Sequence, residues 1–67
     1  ASRLEVFGLN GKTIHDSGFV AGNRVGWSLQ DEQGARVSNG IYLYRMTAQG
    51  FDGELAKSKV RRVLVLK

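Results

Sequence analysis

The sequence contains no cysteine and no proline, and it has one histidine among 67 residues. Without cysteine the chain can form neither a disulfide nor a thiolate metal site, and a single histidine argues against a structural zinc site. The longest apolar run, Val63–Leu66, is far too short to cross a bilayer as a helix. The sequence therefore excludes a disulfide-stapled scaffold and a transmembrane helix, but the absence of cysteine does not identify the redox compartment.

The length and composition instead indicate one small globular domain. Apolar residues make up 42% of the chain, which is typical of a folded domain and too much for a disordered segment. A chain of about 60 residues buries only about 60% of its unfolded surface, so we expect marginal stability. No signal peptide is visible, and the first residues lead directly into an alternating segment. We therefore interpret residues 1–67 as a single module excised or processed from a larger protein.

Alternating apolar and polar residues, separated by glycine-containing turns, predict strands along the whole chain and no helix. Asn10-Gly11 and Asn39-Gly40 are the strongest turn signals, because Asn-Gly favours the tight turns of β-hairpins. Polar loops are predicted at 30–34 and 49–54, and no internal repeat is evident. The predicted strands are 4–7, 12–15, 24–29, 41–48 and 58–66. Four or five short strands with this spacing indicate a small sandwich or barrel.

The strand predicted at 41–48 carries large side chains on both faces, with Ile41 and Leu43 on one and Tyr42 and Tyr44 on the other. A strand that is apolar on both faces is normally buried at the centre of a structure. The aromatic row is therefore interpreted mainly as core and not as a platform for a ligand. The predicted core consists of Leu4, Val6, Leu9, Ile14, Val25, Trp27, Ile41, Tyr42, Leu43, Tyr44, Val63 and Val65.

The formal net charge of +4 raises the possibility of a nucleic-acid partner, because phosphate contacts need basic side chains. Basic residues cluster only near the end of the chain, and the aromatic residues lie elsewhere. Solubility and charge protection of an edge strand explain this cluster more simply. The alternative hypothesis is a small basic β-barrel that binds phosphates through Lys57, Lys59, Arg61 and Arg62 and stacks bases on Tyr42 or Tyr44.

Two short motifs resemble parts of catalytic sites, but neither has the arrangement of residues that the chemistry requires. Gly11-Lys12-Thr13 resembles the end of a phosphate-binding loop, but that loop needs glycine where Val6 stands, and no helix follows. His15 and Asp16 are neighbours in a predicted strand, so they point to opposite faces and cannot orient each other as a hydrolase base and its carboxylate. We therefore interpret His15 as a satisfied or solvated surface residue and predict that the protein is not an enzyme.

The sequence also gives little support for a metal site or a carbohydrate site. The acidic loop residues lack the spacing of a calcium loop, so they are interpreted as charged loop tips. Carbohydrate binding by stacking on Trp27 remains a third hypothesis, set against packing of Trp27 with Val25 and Leu29. We predict no cofactor and no metal ion. The acidic loop residues concerned are Asp31, Glu32, Asp52 and Glu54.

Several segments, taken in order, resemble a known family. These segments are 4–12, 24–27, 31–34, 37–46 and 59–67, and the block from Trp27 to Met46 is the most specific. The chain resembles the immunoglobulin-like module of the flagellar hook-capping protein type, which is similar to the C-terminal sorting domains of type IX secretion. The resemblance implies an immunoglobulin-like antiparallel β-sandwich that forms the C-terminal part of a larger bacterial protein, either secreted or at the cell surface.

Two departures from the family pattern shape the functional expectation. Ser28-Leu29 stands where the family commonly has Asp-Gly, and one or two strands expected before residue 1 are missing. We therefore expect a neighbouring domain of the parent chain or another subunit, including a second copy, to complete the sheet by β-strand addition. Such a module would be noncatalytic and would act in assembly, attachment or export sorting. The candidate interaction edge consists of Lys59, Arg61, Val63, Val65 and Lys67.

Overall fold

The computed structural model of the protein describes residues 1–22 and 25–66. These residues form no helix and five strands, which are β1 (Ser2–Phe7), β2 (Thr13–Asp16), β3 (Gly40–Gln49), β4 (Leu55–Lys57) and β5 (Arg61–Val65). All neighbouring strands run antiparallel. The predicted all-β class is therefore confirmed. The five strands belong to one sheet, and a second sheet, which a sandwich requires, is not present within 1–22 and 25–66.

The long strand β3 lies at the centre of the sheet. One of its edges pairs with β1 from Leu43 to Ala48. Its other edge pairs first with β5, over Gly40 to Tyr44, and then with β4, over Thr47 to Gln49. The hairpin partner β2 lies outside β1, so the order across the sheet is β2-β1-β3-β4, with β5 beside β4 along the same edge of β3. The central position predicted for this segment is confirmed.

The turn that joins β1 to β2 differs in type from a two-residue Asn-Gly hairpin. Gly8 N donates to the Lys12 carbonyl at 2.9 Å, and Gly11 N donates to the Gly8 carbonyl at 2.9 Å. The side-chain oxygen of Asn10 accepts from Lys12 N at 3.0 Å. Gly11 has a φ of 84°, in the left-handed region that glycine adopts without steric cost. This is the longer hairpin connection in which a turn is followed by a left-handed bulge residue.

The turn between β3 and β4 repeats the same contacts 42 residues later, from residue 8 to residue 50. Gly50 N donates to the Glu54 carbonyl at 2.9 Å, and Gly53 N donates to the Gly50 carbonyl at 3.0 Å. Asp52 Oδ1 accepts from Glu54 N at 3.0 Å, and Gly53 has a φ of 82°. The carboxylate of Asp52 therefore holds the turn, as the amide of Asn10 does in the first hairpin.

A bulge built on serine follows in each hairpin. Ser17 N donates to the Leu4 carbonyl at 3.0 Å, and Leu4 N donates to the Ser17 hydroxyl at 2.9 Å. Ser58 N donates to the Met46 carbonyl at 2.8 Å, and Met46 N donates to the Ser58 hydroxyl at 2.9 Å. In both cases the hydroxyl stands in for a main-chain carbonyl, and the register shifts by one residue beyond it, as in a β-bulge.

The two hairpins therefore form an internal structural repeat, although no internal repeat is evident in the sequence. Segments 4–17 and 46–58 make the same turn and bulge contacts, and Leu4 pairs directly with Met46 across β1 and β3. The repeat is not evident in the sequence because it is defined mainly by main-chain hydrogen bonds, and the two segments share few side chains. Gly8, Gly11 and Ser17 correspond to Gly50, Gly53 and Ser58, whereas the strand residues between them differ in polarity.

The segment predicted as a strand at 24–29 is not one over its described residues, 25–29. Trp27 donates its indole N–H to the Gln30 carbonyl at 2.8 Å, and Leu29 has a φ of 62°, so the extended alternation stops there. A short turn follows in which Asp31 N donates to the Ala35 carbonyl and Asp31 Oδ1 accepts from Ala35 N. Residue 24 lies outside the described residues. The segment crosses one face of the sheet as a loop.

The repeated turns predict matched effects of substitution. Gly11→Ala and Gly53→Ala should each lower the free energy of unfolding by about 1 kcal/mol, because a side chain is strained at these φ values. Gly26→Ala is the control, since Gly26 is exposed, lies outside the left-handed region and leaves open space around an added Cβ. Urea unfolding of the three variants measures the difference. Equal stability of Gly53→Ala and Gly26→Ala would contradict the assignment.

Candidate interaction surface

Alternate residues of β1, β3 and β5 place an apolar set of side chains on one face of the sheet. Leu4 and Val6 of β1 lie opposite Met46 and Tyr44 of β3, and Tyr42 lies opposite Val63 of β5. Residues directly opposite each other in antiparallel strands share a face, so this set is continuous across three strands. Val6 is 1% exposed and is the most deeply buried side chain on this face.

The loop that crosses this face completes an apolar groove. Trp27 packs edge-on against Tyr42 with ring centroids 5.9 Å apart, and the Tyr42 hydroxyl donates to the Ser38 carbonyl at 2.7 Å. The groove has a volume of about 280 Å³ and opens to solvent. Ligand pockets for whole small molecules are usually larger, about 300–1,000 Å³, so the groove suits one or two apolar side chains. It is lined by Leu4, Val6, Val25, Trp27, Tyr44, Met46 and Val63.

His15 differs from the surface residue that was expected. Because it lies opposite Val6 in the β1–β2 pair, it belongs to the groove face, where it is half-buried with its ring 6.3 Å from that of Trp27. Its Nε2 atom is buried and has no hydrogen-bond partner among the described residues. The interpretation of His15 as satisfied or solvated was therefore wrong. The strand does place Asp16 on the opposite face, so the two side chains do not orient each other.

Two residues expected in the core are exposed. Leu9 is 68% exposed because it lies in the β1–β2 turn, and Ile41 is 46% exposed because it lies on the face opposite the groove. Burial of both faces of β3 would need a layer on each side of the sheet, and the described chain provides a cover on one side only. Leu43, on the same face as Ile41, is half-buried, as are Ile14, Val25, Trp27, Tyr42 and Tyr44.

The alternation of β5 separates the predicted interaction residues. Val65 is 3% exposed and Val63 lines the groove, so both side chains lie on the face of the sheet that carries the groove. Arg61 shares that face because it lies opposite Tyr44, but it is exposed. Lys59 is exposed just before the strand, and Lys67 lies outside the described residues. Among the described residues of this set, the exposed side chains are therefore those of Lys59 and Arg61 and not those of the valines.

The face opposite the groove carries a row of paired charges, which we call the charged face. Arg3 donates Nε–H to Asp16 Oδ1 at 2.8 Å, and Arg45 donates to Glu5 Oε1 at 3.0 Å. Arg45 also lies over the Phe7 ring, with 5.8 Å from Cζ to the centroid. Glu5 is only 9% exposed, which composition did not indicate. The register places Glu5 opposite Arg45, and Arg45 and Arg3 both pair with the Glu5 carboxylate, which explains why a buried carboxylate is tolerated.

The strand pairing leaves an unpaired edge on β5. Within the described residues β5 pairs with β3 alone. Apart from the bonds of this pair, no hydrogen bond between main-chain groups of the described residues involves residues 61–66. Arg62 lies opposite Leu43 and so projects on the charged face, whereas Arg61 projects on the groove face. The cations of the nucleic-acid hypothesis are thus divided between two faces. Lys57, Lys59, Arg61 and Arg62 are all exposed, and no ion pair joins them to an acidic residue of 1–22 or 25–66.

No protein-family model matches the chain, and no curated protein or solved structure shows significant similarity to it. In the part of the chain that the structure describes, no group of three or more histidine, aspartate or glutamate side chains could hold a metal ion. The same residues include no helix long and apolar enough to cross a membrane. The groove and the β5 edge are therefore the features on which a functional argument can rest.

The ion pair between Arg3 and Asp16 predicts an acid-sensitive contribution to stability. The hydrogen bond from Arg3, assisted by one from Gly18 N, lowers the pKa of Asp16 to about 2. Because this folded-state pKa lies below the ordinary value of about 3.9, the contribution is complete above about pH 5 and is lost as the pH falls through about 2. The Asp16 side chain is 28% exposed, so solvent screening limits the contribution to about 1 kcal/mol or less.

Urea unfolding of Asp16→Asn at pH 7 and pH 2 measures this effect. The variant should be less stable than the wild type at pH 7, and the difference should be much smaller at pH 2, where about half of the folded-state Asp16 is protonated. Arg3→Gln should remove the same contribution, so the double variant should lose less than the sum of the two single losses. A stability difference that persists unchanged at pH 2 would contradict the ion-pair origin.

Proposed function

We propose that this chain is a noncatalytic interaction module of a bacterial secreted or cell-surface protein. It acts in assembly, attachment or export sorting through strand pairing and apolar packing with a neighbouring domain or another subunit. The observation that carries the proposal is the open groove beside Trp27, Tyr44 and Val63 on the packed face of the sheet. An apolar concavity of this kind gains free energy when a partner side chain removes it from water.

The position of the groove supports strand pairing as the mode of interaction. Val63 belongs both to the groove and to β5, whose outer edge carries unpaired main-chain groups. A partner strand added at this edge would bring its own side chains next to the groove, so main-chain pairing and apolar packing would cooperate. The immunoglobulin-like sandwich and the bacterial surface setting come from the resemblance to the hook-capping module, and they are part of the proposal.

The nucleic-acid alternative has weaker support from the geometry. Tyr42 and Tyr44 are half-buried on the groove face, and the Tyr42 hydroxyl is engaged with the Ser38 carbonyl. Arg62 projects on the other face of the sheet. A nucleic-acid strand would have to bridge both faces to use the tyrosines and this cation together, so protein packing explains the arrangement better.

A neutral solvatochromic dye such as Nile red tests whether the groove is an accessible apolar site. We expect dye fluorescence to rise with the wild type and with Leu64→Gln, whose side chain is 60% exposed on the opposite face. Val63→Gln and Met46→Gln should weaken dye binding several-fold, because both residues line the groove. Far-UV circular dichroism checks that each variant is folded, and two groove variants guard against one of them unfolding.

Sedimentation velocity across a concentration series completes this test. Dye displacement as the chain associates would identify a second copy as the cover of the groove, whereas a dye-binding monomer would point to a neighbouring domain. Either result supports the proposal. A folded monomer that binds no dye would overturn it, because the groove would then be closed in solution.

Removal of residues 63–67 should abolish folding or assembly. The truncation deletes Val65, which is 3% exposed, together with Val63 of the groove wall. It also leaves residues 40–42 of β3 without a strand partner, because they pair with β5 alone. Circular dichroism and sedimentation of the truncated chain measure the outcome, with removal of residue 67 alone as the control. Normal folding and assembly of the shorter chain would show that β5 is dispensable and would contradict the mechanism.

A further inference from the structure

We propose that the free edge of β5 binds an extended segment of another polypeptide that carries two consecutive carboxylates next to two consecutive apolar residues. This inference rests on the proposed function and specifies the chemistry of the partner. Its basis is the combination of unpaired main-chain groups, unpaired cations and an adjoining apolar groove along one five-residue strand.

The charge of the edge selects the sign of the partner. Residues 55–66 contain the basic side chains Lys57, Lys59, Arg61 and Arg62 and no acidic residue. By contrast, Arg3 and Arg45, on β1 and β3, are each paired with a carboxylate of the same sheet. The edge cations thus remain available for carboxylates from outside, and a second copy paired at this edge would bring the same cations and no carboxylate.

The order of residues along β5 selects the pattern of the partner. Arg61 and Val63 project on the groove face, while Arg62 and Leu64 project on the charged face. A strand paired beyond β5 would therefore meet a cation followed by an apolar residue on each of its faces. Carboxylates opposite Arg61 and Arg62, and apolar side chains opposite Val63 and Leu64, satisfy both faces at once. In the antiparallel direction, the partner reads apolar, apolar, acidic, acidic.

Two local features bound this site. At its start, the bulge at Ser58 shifts the register of the edge, so a regular partner strand cannot continue past Lys59 onto β4. Next to Val63, the groove offers about 280 Å³ for an apolar partner side chain on that face. The carboxylates therefore position the segment along β5, and the groove receives one apolar side chain.

A fluorescently labelled synthetic peptide with two valines followed by two glutamates, flanked by threonines, tests the inference by anisotropy titration of the full chain. A peptide of the same composition in scrambled order is the control for charge alone. We expect the ordered peptide to bind at least about tenfold more tightly than the scrambled one, because only the ordered peptide meets cations and apolar residues on both faces. Equal binding of the two peptides would overturn the inference.

Two further readouts separate strand pairing from simple charge attraction. An added strand pairs through one of its edges only, and alternate N–H groups point to opposite edges. Of two peptides N-methylated at every second residue, one at the odd and one at the even positions, one should therefore not bind and the other should bind normally. The double variant Arg61→Gln/Arg62→Gln should bind about tenfold more weakly, whereas Arg36→Gln, an exposed cation outside the strand, should bind normally. Equal binding of both methylated peptides would overturn the inference.

Tighter binding of a single-stranded oligonucleotide than of the ordered peptide would also overturn it, in favour of a nucleic-acid partner. The dye experiment distinguishes this failure from failure of the proposed function. If the dye binds the groove and no peptide binds the edge, the partner pattern is wrong and the interaction module stands. If the chain is a folded monomer and the dye does not bind either, the proposed function fails as well.

Discussion

The structure depends on the pairing of β3 along both of its edges. β1 and β3 meet at Leu4 and Met46, and the outer sides of these two residues are held by Ser17 and Ser58 through the same pair of hydrogen bonds. These contacts among β1, β3 and the two serines fix the register of the whole sheet. A slip of one residue would move every side chain to the other face. The groove and the charged face both follow from this register.

The same register gives the two faces different chemistry. On one face, alternate residues are apolar and are partly covered by the loop that carries Trp27. On the other face, Glu5 is buried between Arg3 and Arg45, so a polar network takes the place of a second apolar layer. The sheet thus has a polar network on one face and still has apolar area to bury on the other. That balance suits a module that associates.

Several elements could be predicted from residues because the signal was local. The all-β class and the central strand followed from alternation and from large side chains at 41–44, and the glycines predicted the loops at 30–34 and 49–54. The exposure of Ile41 could not be predicted, because it depends on which face the rest of the chain covers. The loop at 25–29 was mistaken for a strand, since alternation alone does not reveal the bond from Trp27 to Gln30. The burial of Glu5 and the serine bulges depend on cross-strand register, which a single sequence does not reveal.

The repeat of two hairpins also orders events in time. Each hairpin closes over short sequence distances, whereas the main-chain bond from Gln49 N to the Ala1 carbonyl joins residues 48 positions apart. Local loops close within microseconds and long ones more slowly, so the first hairpin can form while β3 is still being synthesised. During that interval the inner edge of β1 is unpaired and able to capture a foreign strand. Pairing of β3 with β1 therefore closes an edge that would otherwise be open to misassembly.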